Sequence, residues 1–139
     1  MALSDVILFN VPKILDDRGN LSFFQYPDQI PFEIKRVYWI NDIPGGTDFT
    51  GYANKESQEI IIALSGSFDV IANDGFNERK FTLNHPDAGI YIPKMTWLQL
   101  VNFSTNSVAF IVSDSDFNEQ DRIVEFSQFQ LIKKDGSQL

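Results

Sequence analysis

Short apolar or alternating runs recur along this chain at near-even spacing, each closed by turn residues, and that pattern leaves few folds open. The runs are VILFNV (6–11), NLSFFQY (20–26), FEIKRVYWIN (32–41), EIIIALSG (59–66), SFDVIAND (67–74), ERKFTL (78–83), GIYIP (89–93), TWLQLVNF (96–103) and SVAFIVSD (107–114). Between them lie DDRG, PGG, NDG, NHPDAG and STNS. Gly, Pro, Asn and Asp at such points end a strand and reverse the chain. The NDG at 73–75, flanked by two alternating runs, predicts a hairpin. Strands this short and this regularly spaced predict an all-β sandwich or barrel. Only the end differs. SDFNEQDRIVEFSQFQLIKK begins with capping residues and sets Ile123, Phe126, Phe129 and Leu131 near helical spacing, which predicts a short C-terminal helix. A flexible tail is expected over 133–139. No repeat or low-complexity segment interrupts the pattern, and 139 residues suit one domain over 1–139.

Composition narrows the function. A hydrophobic content of 43% fills a core, and thirteen Phe against two Met predict a rigid, aromatic one. The formal net charge of −8 argues against nucleic acid, which needs clustered Lys and Arg, and against anionic membrane surfaces. An anionic small molecule stays open if a few cations converge locally. There is no cysteine, so disulfides, zinc–thiolate sites and thiol nucleophiles are out. MALSDVILFNVPK lacks the basic and apolar regions of a signal peptide, and no apolar run is long enough to span a bilayer. The expectation is a cytoplasmic protein. The single histidine, His85, lies in the turn NHPDAG and reads as a solvated turn residue.

Strand 32–41 carries Ile34, Arg36, Tyr38 and Ile40 on one face and Lys35, Val37 and Trp39 on the other. A face with Arg36 and Tyr38 suits a ligand-lined barrel lumen better than a sandwich core. The spacing that follows resembles the cupins, small double-sheet jelly rolls. Their first motif runs Gly, five residues, His-x-His, four residues, Glu, six residues, Gly; here it is Gly46, Tyr52-Ala53-Asn54, Glu59 and Gly66 at the same spacing. Their second motif falls on Pro93, Leu98 and Asn102. Every histidine is replaced: the positions are Tyr52, Asn54 and Leu98. Of the frame only Glu59 is a strong metal ligand, and a catalytic metal needs about three N or O donors, so neither a metal nor another cofactor is expected.

DDRGNLSFFQ (16–25) and IPFEIKRVYWINDIPGG (30–46) narrow the match further. They are similar to the D-x-R-G-x-L opening and the I-P-F-x-I-K-R-V-Y-Y-I segment of the WxcM-like nucleotide-sugar 3,4-ketoisomerases, and the likeness continues over about residues 10–130. The resemblance implies a cupin-type double-stranded β-helix and a homodimer. It also implies a dTDP-linked keto sugar as ligand, in bacterial surface-glycan (lipopolysaccharide) biosynthesis. The implied reaction removes a proton from sugar C3, forms an enediolate and returns a proton at C4, without a metal. The family's R-G-x-H-A-H motif falls on Phe49 to Asn54, with its arginine at Phe49 and its histidines at Tyr52 and Asn54; a later W-H pair falls on Trp97 and Leu98.

The surviving candidates each carry two readings. Tyr52 is a usable acid but a poor base at neutral pH, or a space-filler. Asn54 can donate to a keto oxygen but cannot shuttle protons, or is a benign polar residue at the barrel mouth. Tyr38 matches a position near the sugar, or is a wall tyrosine. Glu59 is a general base if desolvated, or an arginine's partner. Arg18 and Arg36 can hold a diphosphate by forked contacts; otherwise Arg18 pairs with Asp16 or Asp17 in its turn, and Arg36 pairs with Glu59. Trp97 stacks on the nucleotide base, or is core. Three functions remain: a nucleotide-sugar binder whose isomerase chemistry has lapsed, an active isomerase or epimerase rebuilt around Tyr52, or a structural cupin or partner subunit of an active paralogue.

Overall fold

In the computed structural model, which describes residues 3–137, two antiparallel five-stranded sheets stack face to face. The first has the order β1 (Ile7–Asn10), β9 (Ala88–Ile92), β6 (Glu59–Ser65), β11 (Val108–Ser113), β4 (Arg36–Ile40). The second has β12 (Arg122–Ile123), β5 (Tyr52–Asn54), β10 (Trp97–Val101), β7 (Phe68–Asn73), β8 (Glu78–Leu83). A separate hairpin pairs β2 (Lys13–Asp16) with β3 (Gly19–Ser22). This is the expected all-β jelly roll, closed by one helix, α1 (Phe126–Ser137).

Alternation explains the packing. In β7, Phe68, Val70 and Ala72 point between the sheets, while Asp69, Ile71 and Asn73 are half-buried outside. They meet Ile61, Ala63, Ile90, Ile92, Ala109 and Ile111 of the first sheet in one core. The run IIIA of β6 does not alternate, because both faces are covered there: Ile60 and Ile62 pack on the outer side against Ile30 and Phe32. The NDG hairpin forms as expected. Asp74 Oδ1 accepts the backbone N–H groups of Phe76 and Asn77, and Gly75 takes φ +99°, where a side chain would be strained.

The helix begins later than its periodicity predicts. Residues 119–121 form a single 3-10 turn, and Arg122 and Ile123 are extended, paired with Asn54 and Ala53 of β5. Strand pairing across the sheet edge overrides local helix spacing there. Leu131 is exposed, whereas Phe129 and Ile123 bury against Trp97 and Ala53 on the outside of the second sheet. The segment expected as a tail is helical through Ser137, and 138–139 lie outside the described residues.

Gly51 sits directly beneath the Trp97 indole, where a Cβ would come within 2.4 Å of the ring. Gly51→Ala is therefore expected to lower stability by roughly 1–3 kcal/mol, the usual cost of overpacking. Urea denaturation checks it, and an unchanged midpoint would mean the indole moves aside freely.

Candidate active site

One register brings the site together. Ser113 of β11 is paired with Arg36 on one side and with Glu59 on the other. Arg36 and Glu59 thus flank it at the same level, facing inward, with Arg36 Nη2 3.9 Å from Glu59 Oε2. Two residues along, Ile111 pairs with Tyr38, whose hydroxyl donates a short hydrogen bond to Glu59 Oε2. From the opposite sheet the Tyr52 hydroxyl donates to Glu59 Oε1 at 2.9 Å. Arg122, on β12, places Nη2 3.3 Å from the Tyr38 hydroxyl and its guanidinium 4.2 Å from the Tyr52 ring centroid.

These residues surround a cavity of about 450 Å³, within the range of small-molecule sites. Arg36, Tyr38, Tyr52 and Arg122 form its polar wall, Ile40, Leu100 and Ile111 its apolar floor, and Phe49 and Phe117 flank its mouth. Glu59 lies behind the tyrosines with no exposed surface. Among the described residues no group of three His, Cys, Asp or Glu side chains is placed to hold a metal ion.

Electrostatics follow from burial. Desolvation pushes the Glu59 carboxyl above its ordinary value; the two tyrosine hydroxyls, then Arg122 and Arg36, pull it back. Burial, with the adjacent Glu59 charge, pushes Tyr52 well above 10, and Tyr38 is raised for the same two reasons. At neutral pH both phenols hold their protons and aim them at the Glu59 carboxyl group.

Comparison with known proteins fits this geometry. The family described as FdtA: WxcM-like, C-terminal matches residues 4–134. The chain belongs to the WxcM-like family. Within it, the TDP-4-oxo-6-deoxy-alpha-D-glucose-3,4-oxoisomerase of Aneurinibacillus thermoaerophilus is 32% identical over 123 residues, 88% of each chain. A 3,4-ketoisomerase from Helicobacter canadensis superposes with a TM-score of 0.90 at 31% identity, over 94% of this chain and 98% of that one. A mutant of the 3,4-ketoisomerase QdtA from Thermoanaerobacterium thermosaccharolyticum, solved with TDP-4-keto-6-deoxyglucose, gives 0.92 at 26% identity, over 96% and 97%.

In this WxcM-like chain the sequence candidates separate into those inside the lumen and those outside it. Tyr38, Tyr52, Glu59 and Arg36 converge there. Asn54 is buried two residues beyond Tyr52, its backbone carbonyl accepting from the Met95 N–H at 2.7 Å, and it does not line the cavity. Leu98 sits beside Tyr52 in register and joins the apolar core. Trp97 points the other way, under α1, in edge contact with Phe126 at 5.3 Å, so its place is the core. Arg18 stays in its turn, 2.9 Å from Asp16 and largely exposed, as the alternative reading of that residue had it. His85 is exposed in its turn, away from the lumen.

Arg122 escaped the sequence reading. It lies in a stretch whose periodicity suggests helix, and only its extended pairing with β5 turns it toward the tyrosines. The pair of bulky aromatics at the mouth was half-visible: the sequence reading singled out Phe49, but nothing in the sequence joins it to Phe117.

The Glu59 environment predicts a pH dependence. A carboxyl raised in the folded state stabilises the fold through its protonated form. That contribution is fully present below the ordinary glutamate value of 4.5 and is lost as pH rises through the folded-state value. Relative to Glu59→Gln, wild type should therefore lose stability as pH rises from about 4.5. Denaturation midpoints of both proteins across that range measure it; parallel curves would mean that Glu59 folds with an unshifted carboxyl.

Proposed function

We propose that this chain binds a dTDP-linked 4-keto-6-deoxy sugar in the barrel lumen and holds it without interconverting its 3-keto and 4-keto forms. The observation that carries this reading is the Tyr38–Glu59–Tyr52 network. Ketoisomerisation needs a group that takes a proton from C3 and returns one at C4. Tyr52 and Tyr38 are protonated at neutral pH and already donate to Glu59. Glu59 is screened from the cavity by those two rings, and Leu98 cannot carry a proton. The binding half of the reading rests on charge. In a chain of net charge −8, Arg36 and Arg122 meet at one cavity and supply forked donors for a diphosphate. The related QdtA protein holds TDP-4-keto-6-deoxyglucose in its own structure.

A second reading, an active isomerase with a rebuilt site, is favoured by the 2.9 Å bond from Tyr52 to Glu59. In that reading the buried carboxylate takes the phenol proton as Tyr52 takes the one from C3. One NMR sample in D2O with dTDP-4-keto-6-deoxyglucose separates the readings. Saturation transfer to the ligand without washout of the C3 proton is the expected result. Washout that disappears in Tyr52→Phe would establish the rebuilt enzyme instead. Absence of both signals would leave a structural cupin or partner subunit.

A homodimer is part of the same proposal. The β2–β3 hairpin exposes Ile14, Leu15 and Leu21, and the edge strand β4 exposes Val37 and Trp39, and apolar surface of this extent favours association. Sedimentation should give a mass near 32 kDa, twice the 15.9 kDa chain; a monomer at micromolar concentration would refute it.

A further inference from the structure

Phe117 lies in the loop between β11 and β12. It is 70% exposed, yet it lines the mouth of the arginine cavity. The loop that carries it is fastened at both ends to residues 55–58. Upstream, Asp114 accepts from the Gln58 backbone N–H and from its side-chain amide, each at 2.9 Å. Downstream, Asp121 accepts from the Glu56 N–H at 2.7 Å and from the Ser57 hydroxyl, and its carbonyl accepts from the Lys55 N–H at 2.8 Å. Between these clasps Asn118 caps the 3-10 turn, its side chain accepting from the Gln120 N–H at 3.0 Å. The exposed ring is therefore held in place by its loop and not by burial.

Its neighbour is Arg36, whose guanidinium carbon lies 5.8 Å from the Phe117 ring centroid and 5.2 Å from that of Tyr38. Arg36 Nε is buried and has no hydrogen-bond partner among the described residues. That nitrogen is closed off from the cavity, but the guanidinium lines it and is partly exposed, so its other N–H groups can meet an acceptor from the ligand. A diphosphate oxygen is such an acceptor. In a nucleotide sugar the diphosphate separates the sugar from the nucleoside. With the sugar between Tyr38 and Tyr52 and the phosphates on Arg36 and Arg122, the base lies one ribose further out, at the mouth.

We propose that Phe117 is the platform on which the ligand's nucleobase stacks. The inference rests on the nucleotide-sugar reading above. Base–aromatic stacking contributes through the ring face, and every base has one. The platform thus sets the position of the nucleotide and reads a planar ring more than a particular base edge, so UDP and dTDP bind with similar affinity.

The test is calorimetry of the full chain with dTDP, UDP and inorganic pyrophosphate, for wild type, Phe117→Ala and Phe117→Trp. Phe117→Ala is expected to weaken dTDP and UDP about 5- to 100-fold and to leave pyrophosphate unchanged, while Phe117→Trp keeps the nucleotide affinity. Thermal melts should be unaltered, since the side chain is mostly exposed. Wild-type binding of dTDP that survives Phe117→Ala intact would overturn the platform and leave the nucleotide reading standing. An equal loss of dTDP and pyrophosphate would overturn it too, because the ring would then be supporting the arginines. Wild type that binds no dTDP removes the nucleotide reading and the platform together.

Discussion

Arg122→Ala is expected to raise the dissociation constant for dTDP by about 10- to 100-fold, the range of one or two charge-assisted hydrogen bonds. The guanidinium stands at the cavity wall, 4.2 Å from the Tyr52 ring centroid and with Nη2 3.3 Å from the Tyr38 hydroxyl. With Arg36 it is one of two cations lining the lumen. The side chain is exposed, so its removal should shift stability by no more than about 0.5 kcal/mol, and any loss of affinity is a loss of contact. Arg122→Lys keeps the charge but not the planar fork and should recover only part of the binding. Titration calorimetry distinguishes the three proteins. Equal affinity in all of them would place the diphosphate elsewhere.

Phe129→Ala should have the largest effect on stability, a loss of roughly 3–5 kcal/mol, as for other fully buried phenylalanines. The ring has no exposed surface and packs on Trp97 at 5.8 Å and on Phe126 at 6.1 Å. It is the point at which α1 is seated on the second sheet, together with Ile123 and Ala53. Emission of the buried Trp97, in a Trp39→Phe background, reports the unfolding directly. A loss below about 1 kcal/mol would mean that the helix contributes little and that the cavity collapses without penalty.

Much of the site was legible because strand alternation is a local rule. The inward set Arg36, Tyr38 and Ile40 and the outward set Val37 and Trp39 follow from period two alone, and burial in β4 alternates accordingly. The NDG turn and the runs that became β6 to β11 were equally local. The short strands β2, β5 and β12 were not legible as strands. Tyr52–Asn54 and Arg122–Ile123 have too few residues to show a period, and they are extended because neighbouring strands supply their hydrogen bonds. Trp97 illustrates a different limit: it lies on a strand, yet whether a strand residue faces lumen or helix depends on what covers the sheet.

By itself the sequence determined the all-β class, the jelly-roll fold and the likeness to nucleotide-sugar isomerases, since these rest on residue types at short fixed spacings. Tertiary structure alone decided which side chains meet. Glu59 accepts from Tyr38, 21 residues earlier in the chain, and Tyr38 lies beside Arg122, 84 residues later. Contacts of that length are set by sheet register across β11 and by the closure of one sheet over the other, and no local pattern in a chain encodes them.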